Sequence, residues 1–447
     1  MPACANDDSY RDTGKVVTPS FLWLAAVTGA LSLLTPCVFP MLPITVAFFN
    51  NQRSEQGQSH ALRHAILFAS GIIVTFTALG LGLAVLVGAA GLARFAADPW
   101  VNIVIGLLFI GFALSLLGMY DLPLPFSNRF LNRVDASARD RSGKAIGSVL
   151  MGFAFTLASF TCTAPFVGPL LVSASRGEWR VPLAGMLVFS TVFAAPFFIL
   201  ALVPRWTSAL PRAGAWLKDV KVVVGLFEIA AALKFFSNAD LVWGTGILSR
   251  TVVLSAWVVI ALTAAAYLVW RITRDAHASL YRWAAPVAAV LIAVWLSLGV
   301  RGRPLGEVEA FLPPSDVQMY SAGGEGVANL NWILNDHPKA LATAAQNNQL
   351  VFIDFTGYTC TNCRWMEANM FARPEVSASL SKYVLSRLYT DGEGDMYEKQ
   401  QQFQEDKFGT VALPLYAIVD SKGRTVRTFS GLTRSPREFL AFLRDAS

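Results

Sequence analysis

The sequence predicts a polytopic all-α membrane domain of about eight spans, inverted three-span repeats plus two, followed by a soluble α/β domain. Three observations carry this. Of 447 residues, 54% are hydrophobic and only 15% charged, and several apolar stretches reach the roughly 20 residues a helix needs to cross a bilayer. From about residue 325 the pattern changes to short apolar strands alternating with polar helices. Between them, one sequence pattern of the first half of the membrane region returns in the second.

Residues 1–19 form a polar extracytoplasmic tail without the apolar core of a cleavable signal peptide. Either the first span is itself the insertion signal or an upstream domain precedes it. The membrane domain covers 20–300, with spans at about 20–49, 64–90, 100–120, 146–174, 182–203, 219–237, 250–270 and 283–300. Loops on one side carry 14 Lys and Arg and those on the other 8. The positive-inside rule then puts both termini outside the cytoplasm. The net charge of +6 is what such loops collect, and it calls for no nucleic-acid partner.

Val104-Ile105-Gly106-Leu107 leading to Asp121-Leu122 resembles Val223-Val224-Gly225-Leu226 leading to Asp240-Leu241. Cys37-x-x-Pro40-x-x-Pro43 has a looser counterpart in Cys162-x-x-Pro165-x-x-x-Pro169. Three spans separate the copies, so the second enters the membrane from the opposite side. Inverted repeats with helices broken at matching places point to a site near the midplane.

Residues 301–330 read as a linker, broken by Pro313-Pro314 and Gly323-Gly324. The soluble domain, 331–447, begins with a helix around 337–347 and the strand Leu350–Phe355. A helix opens near Cys360, a strand follows at Val384–Tyr389 and a polar helix near 395–407. Leu413-Pro414 then precedes strand Leu415–Val419, a turn at Asp420–Gly423, strand Thr425–Phe429 and a last helix Pro436–Arg444.

Five cysteines, Cys4, Cys37, Cys162, Cys360 and Cys363, are too few for a disulfide scaffold. Cys360-Thr361-Asn362-Cys363 follows a strand and opens a helix. A helix N-terminus stabilises a thiolate, the reactive form, and two intervening residues let the second thiol resolve a mixed disulfide made by the first. Half a zinc site would need a second Cys or His pair, and the domain has none. Asp354, six residues earlier, is placed to manage protons if buried; Glu367 faces either the thiols or solvent; a cis bond suits Pro414.

Cys37 and Cys162 taken singly could be packing residues. Together, in proline-broken spans of an inverted repeat, they form a redox pair. Pro36, Pro40 and Pro165 would unwind the helices, bring the thiols together and admit the water a thiolate requires. Glu228, mid-span, is either a proton-handling group or a carboxyl bonded between helices. Lys234 snorkels at a span end. His60 and His64 share a helical face at a span's start, which makes a metal site improbable there, and Cys4 is a bystander or the remnant of a missing domain.

Thr35-Pro36-Cys37-Val38-Phe39-Pro40 and Thr161-Cys162-Thr163-Ala164-Pro165, with Phe352-Ile353-Asp354-Phe355, Cys360-Thr361-Asn362-Cys363 and Leu413-Pro414, resemble the DsbD/CcdA family of transmembrane thiol reductant carriers. Its members with a C-terminal thioredoxin-like domain are the nearer match. The resemblance implies a bacterial inner-membrane protein-disulfide reductase with that domain in the periplasm. Cytoplasmic thioredoxin would reduce the Cys37–Cys162 disulfide, which would reduce Cys360–Cys363, which would serve periplasmic thiol-disulfide proteins, those of cytochrome c maturation or disulfide repair among them. Cys360 would attack, Cys363 would resolve, and the Pro414 loop would hold the partner's backbone. Redox-active disulfides would be the only carriers, with no cofactor and no metal. Tyr358-Thr359 stands where the family usually has Trp before the first cysteine, and residues 1–19 cannot supply the N-terminal immunoglobulin-like domain of larger members. A membrane transporter with a regulatory thioredoxin-like domain is the alternative; the spans hold no Met-rich or His-rich pathway for metal.

Overall fold

The computed structural model describes residues 19–33, 58–119, 152–153, 156, 180–202, 214–274, 280–314 and 330–444. Its apolar half is helical: α1 (Pro19–Ser32), α2 (Gln58–Ala97), α3 (Pro99–Leu116), α4 (Arg180–Leu202), α5 (Gly214–Trp243), α6 (Arg250–Thr273) and α7 (Ala284–Val300). Windows in α2, α3, α4 and α6 are long and apolar enough to cross a membrane, and α1 and α7 hold shorter apolar helices. In lipid the helix is favoured because it satisfies every backbone N–H and C=O internally. Most of the span expected at 146–174, and the end of that expected at 20–49, lie outside the described residues.

The chain divides into two compact units, Met1–Leu92 with Phe109–Glu228, and Ala93–Leu108 with Ile229–Ser447. In the first, Ala25 of α1, Phe68, Ile72 and Phe76 of α2, and Met186, Phe189, Phe193 and Phe197 of α4 form one buried cluster. Gly29 lets α1 and α4 approach: a Cβ there would stand 2.7 Å from the Phe189 carbonyl oxygen. Small residues at such crossings replace the hydrophobic drive that lipid cannot supply.

In the second unit, the start of α3 packs on the end of α5. The Asn238 amide donates to Asn102 Oδ1 at 3.2 Å, and Trp100 meets Trp243 edge-on at 5.6 Å. Beyond α7, inside the stretch expected as a linker, Gly306–Phe311 forms a 3-10 segment. Glu309 on it forms a two-pronged pair with Arg250 of α6, at 2.6 and 3.1 Å. The same guanidinium donates to the carbonyl of Gly299 in α7. Leu305 and Leu312, flanking the segment, pack with Val253, Leu254 and Leu296 of the membrane helices. Ala310 between them faces the other way and belongs to the core of the soluble domain.

That domain has five strands: β1 (Trp332–Leu334), β2 (Val351–Thr356), β3 (Val384–Tyr389), β4 (Leu415–Val419) and β5 (Thr425–Ser430). They pair in the order β1-β3-β2-β4-β5. β1 and β2 run parallel to β3, while β4 and β5 are antiparallel additions. The helices are α8 (His337–Asn347), α9 (Thr361–Trp365), which widens into a π turn over Met366–Met370, α10 (Pro374–Leu380), α11 (Asp395–Phe408) and α12 (Pro436–Arg444). β2 to β4 are buried on both faces, as parallel-type strands under helices are. One face packs Phe352 and Tyr416 under α9, α10 and α12, whose Phe439 meets both rings; the other packs Ile353, Phe355 and Ala417 under α8. β1 and α10 are absent from the sequence reading: three residues of strand carry no alternation, and seven of helix no period.

Candidate active site

β2 ends at Thr356, and the chain turns through Gly357-Tyr358-Thr359 before α9 begins. Cys360 caps α9, and its sulfur accepts from the Cys363 backbone N–H at 3.2 Å. Cys360 and Cys363 are joined as a disulfide. Cys363 is buried and Cys360 half-buried, so the first sulfur is the one a partner can reach. The Leu413–Pro414 peptide is cis, and the Pro414 carbonyl accepts from Gly431 N–H at 2.8 Å.

Between β2, β3 and the helix that follows the cysteines lies a buried charge network. Asp354, 1% exposed, stands opposite Arg387 in the β2–β3 register and accepts from its Nε at 2.8 Å. Its other oxygen has no partner among the described residues. Burial pushes Asp354 up to about 6, outweighing the opposing pull of the Arg387 charge. A single-pronged pair does not replace the water a carboxylate loses. Glu367, on the π turn, accepts from Arg364 Nη2 at 2.6 Å and from the Thr356 hydroxyl at 3.0 Å. Its second oxygen lies 3.8 Å from Arg387. Glu367 thus faces Thr356 and the two arginines rather than open solvent.

Asp391, two residues beyond β3, holds the turn on the other side. One carboxylate oxygen accepts from Tyr358 N–H at 2.7 Å. The second accepts from Thr359 N–H and from the Thr359 hydroxyl, both at 3.0 Å. Burial pushes Asp391 upward against these bonds. The Tyr358 ring stacks on Tyr389 at 4.0 Å and its hydroxyl lies 3.3 Å from that of Tyr397. Arg364, Arg387 and Asp391 escaped the sequence reading. An arginine in the middle of the apolar strand Val384–Tyr389 was the available signal for Arg387; Asp391 gave none, because its contact depends on strand register.

Cys37, Cys162, Pro36, Pro40, Pro165 and Cys4 lie outside the described residues. Glu228 is buried in α5, and neither of its oxygens has a hydrogen-bond partner among the described residues. Lys234 sits two turns further along α5, half-buried. His60 and His64 fall in the first two turns of α2.

Residues 18–239 match the family described as cytochrome C biogenesis protein transmembrane domain, and residues 337–447 match a thioredoxin-like domain. The chain is 29% identical over 413 residues to the thiol:disulfide interchange protein DsbD of Yersinia enterocolitica, covering 91% of this chain and 65% of that protein. It is 28% identical to thiol:disulfide interchange protein DsbD 2 of Pseudomonas aeruginosa (80% and 60% covered). To the protein of the first name in Ralstonia nicotianae it is 26% identical (82% and 59%). It thus spans 59% to 65% of the length of these relatives. Over most of its length the chain is thus similar to thiol:disulfide interchange proteins of the DsbD name, with a cytochrome c biogenesis-type transmembrane domain over 18–239 and a thioredoxin-like domain over 337–447.

Proposed function

We propose that the protein is a membrane protein-disulfide reductase that carries reducing equivalents outward. Cytoplasmic thioredoxin reduces the Cys37–Cys162 disulfide; that dithiol reduces Cys360–Cys363; that pair reduces disulfides of extracytoplasmic proteins. The observation that carries the reading is the Cys360–Cys363 disulfide at the start of α9, its first sulfur reachable and its second buried.

In the last step the Cys360 thiolate attacks one sulfur of the partner's disulfide and expels the other as a thiolate. Cys363, as thiolate, then attacks Cys360 and releases the partner's second sulfur, so two electrons leave the pair as its own disulfide forms. The proton that Cys363 must lose needs an acceptor in a site closed to water. Asp354, with one oxygen unbonded, is suited to that role, and Glu367 holds the two arginines beside it. Pro414 precedes Leu415, which pairs with Phe355 near the end of β2, and its loop is the one against which a partner's backbone would lie.

The soluble domain is assigned to the periplasmic side of a bacterial inner membrane. Two observations support this. The loops on the side of Arg94 carry the fewer basic residues, and Arg94, at the end of α2, bonds Gln401 and Glu398 of α11. Periplasmic disulfide proteins, including those that mature cytochrome c, are the acceptors this orientation offers.

Cys363→Ser tests the assignment, because it leaves Cys360 able to attack but unable to be released. Under mildly oxidising conditions mixed disulfides that dissolve on reduction are expected on Cys360, and mass spectrometry identifies the partner. If Cys360→Ser traps adducts on Cys363 instead, the roles are reversed; if neither variant traps any, the exchange reading fails.

A further inference from the structure

Resting on that reading, we propose that Asp391 is the positioning residue for the nucleophile, a clamp on the two residues that precede Cys360. Three donors converge on its carboxylate: the N–H of Tyr358, the N–H of Thr359 and the Thr359 hydroxyl, at 2.7 to 3.0 Å. No other side chain bonds the backbone of that turn among the described residues. The turn is what places Cys360 at the head of α9, where its sulfur meets the Cys363 N–H.

The surroundings are shaped for this contact. A Cβ on Gly357 would stand 2.5 Å from Asp391 Oδ2, and one on Gly392 would stand 2.6 Å from the Tyr397 ring. Both glycines leave room for groups already in place. Tyr358 lies flat on Tyr389, the last residue of the strand from which Asp391 emerges. Backbone bonds, a hydroxyl bond and a ring stack thus tie the pre-cysteine turn to the end of β3. A carboxylate supplies three acceptor sites at once; an amide supplies one oxygen and presents an N–H₂ to the remaining donors. A turn released from this clamp lets Cys360 drift from the helix N-terminus, and its thiolate loses the stabilisation found there.

The test is the pH profile of Cys360 alkylation by iodoacetamide in the reduced full chain, in detergent, with Cys363→Ser as background. Asp391→Ala is expected to move the profile to higher pH by about one unit, with alkylation about tenfold slower at neutral pH. Asp391→Asn, keeping part of the acceptor set, should fall between. Gly357→Ala, which displaces the carboxylate without removing it, should shift the profile in the same direction. If Asp391→Ala and Asp391→Asn instead shift it downward equally, Asp391 acts only as a nearby charge and the clamp is overturned. Melting temperatures that drop with no change in the profile would make it merely structural and overturn it too. No partner enters this measurement, so a failure of the exchange reading would leave it unmoved.

Discussion

Among the described residues, Asp354 has one bonded and one unbonded carboxylate oxygen in a dry site, and His337, packed on Phe403, is half-buried with its Nδ1 shielded and unbonded. Their effects on stability run in opposite senses. Asp354 is pushed from 3.8 up to about 6. Between these values the folded chain holds a proton the unfolded chain has released, so this contribution is complete at low pH and is lost as pH rises through 6. His337 is pulled down from 6.5 to about 4 by burial and by the Lys407 charge. Its contribution is complete above 6.5 and is lost as pH falls through 4. The difference in stability, wild type minus Asp354→Asn, is expected to fall by about 2 to 3 kcal/mol from pH 4 to 6.5. Wild type minus His337→Phe should rise over the same range. Thermal melts of the whole chain across pH check both, and parallel curves would refute the burial argument. Spacing alone led to Asp354 and Glu367. It could not lead to Asp391, nor pair Arg387 with Asp354, because contacts between segments distant in sequence are found only once the register is known.

Among the elements, α8 and α12 were legible to the residue, since each starts at a strong signal: Asp336 capping α8, with His337-Pro338 at its start, and Pro436 opening α12. The 3-10 segment Gly306–Phe311 was not, because Arg-Gly-Arg-Pro before it and Pro313-Pro314 after it read as a run of breakers. What orders it is long-range: Arg250, 59 residues earlier in the chain, is 9% exposed at its side chain, and Glu309 2%. Removing one partner of such a pair strands the other charge in a dry site, at a cost of about 3 to 5 kcal/mol. Glu309→Ala is therefore expected to lower the melting temperature and to speed proteolysis within 301–330. Glu309→Gln, which keeps hydrogen-bonding capacity, should do so less. Unchanged digestion in both would mean that the pair does not hold the segment. By contrast, the exposed Arg434–Glu307 pair, 2.8 Å apart, is expected to matter little.

At the scale of the whole molecule, hydropathy announced a membrane domain and the change of pattern near residue 325 announced a soluble one. Helix ends were less legible. α2 runs 40 residues, Gln58–Ala97, where the apolar stretch suggested 64–90, and α5 runs Gly214–Trp243 against 219–237. Hydropathy reports the part of a helix that lipid can cover, whereas backbone hydrogen bonding continues past it. The proposed relay makes a prediction that only the intact chain can meet. With Cys37→Ala or Cys162→Ala, the Cys360–Cys363 pair is expected to remain oxidised in growing cells, as read by acid quenching and thiol-specific mass tagging. A pair that is still reduced in either variant would mean that its electrons arrive by another route.

Ala310 gives the division into domains a practical edge. It is buried with Trp365, Met366 and Met370, and beside it the Gly306 carbonyl accepts from the Asn369 side chain. The soluble core is therefore closed by a residue that precedes its first strand by more than twenty positions. A fragment cut at β1 for expression would carry the whole sheet and both cysteines but leave an uncovered notch along α9, beside the disulfide. Reactivity measured on such a fragment would describe a looser helix than the one that works in the membrane-bound chain, and a fragment starting before Leu305 would be the fairer sample.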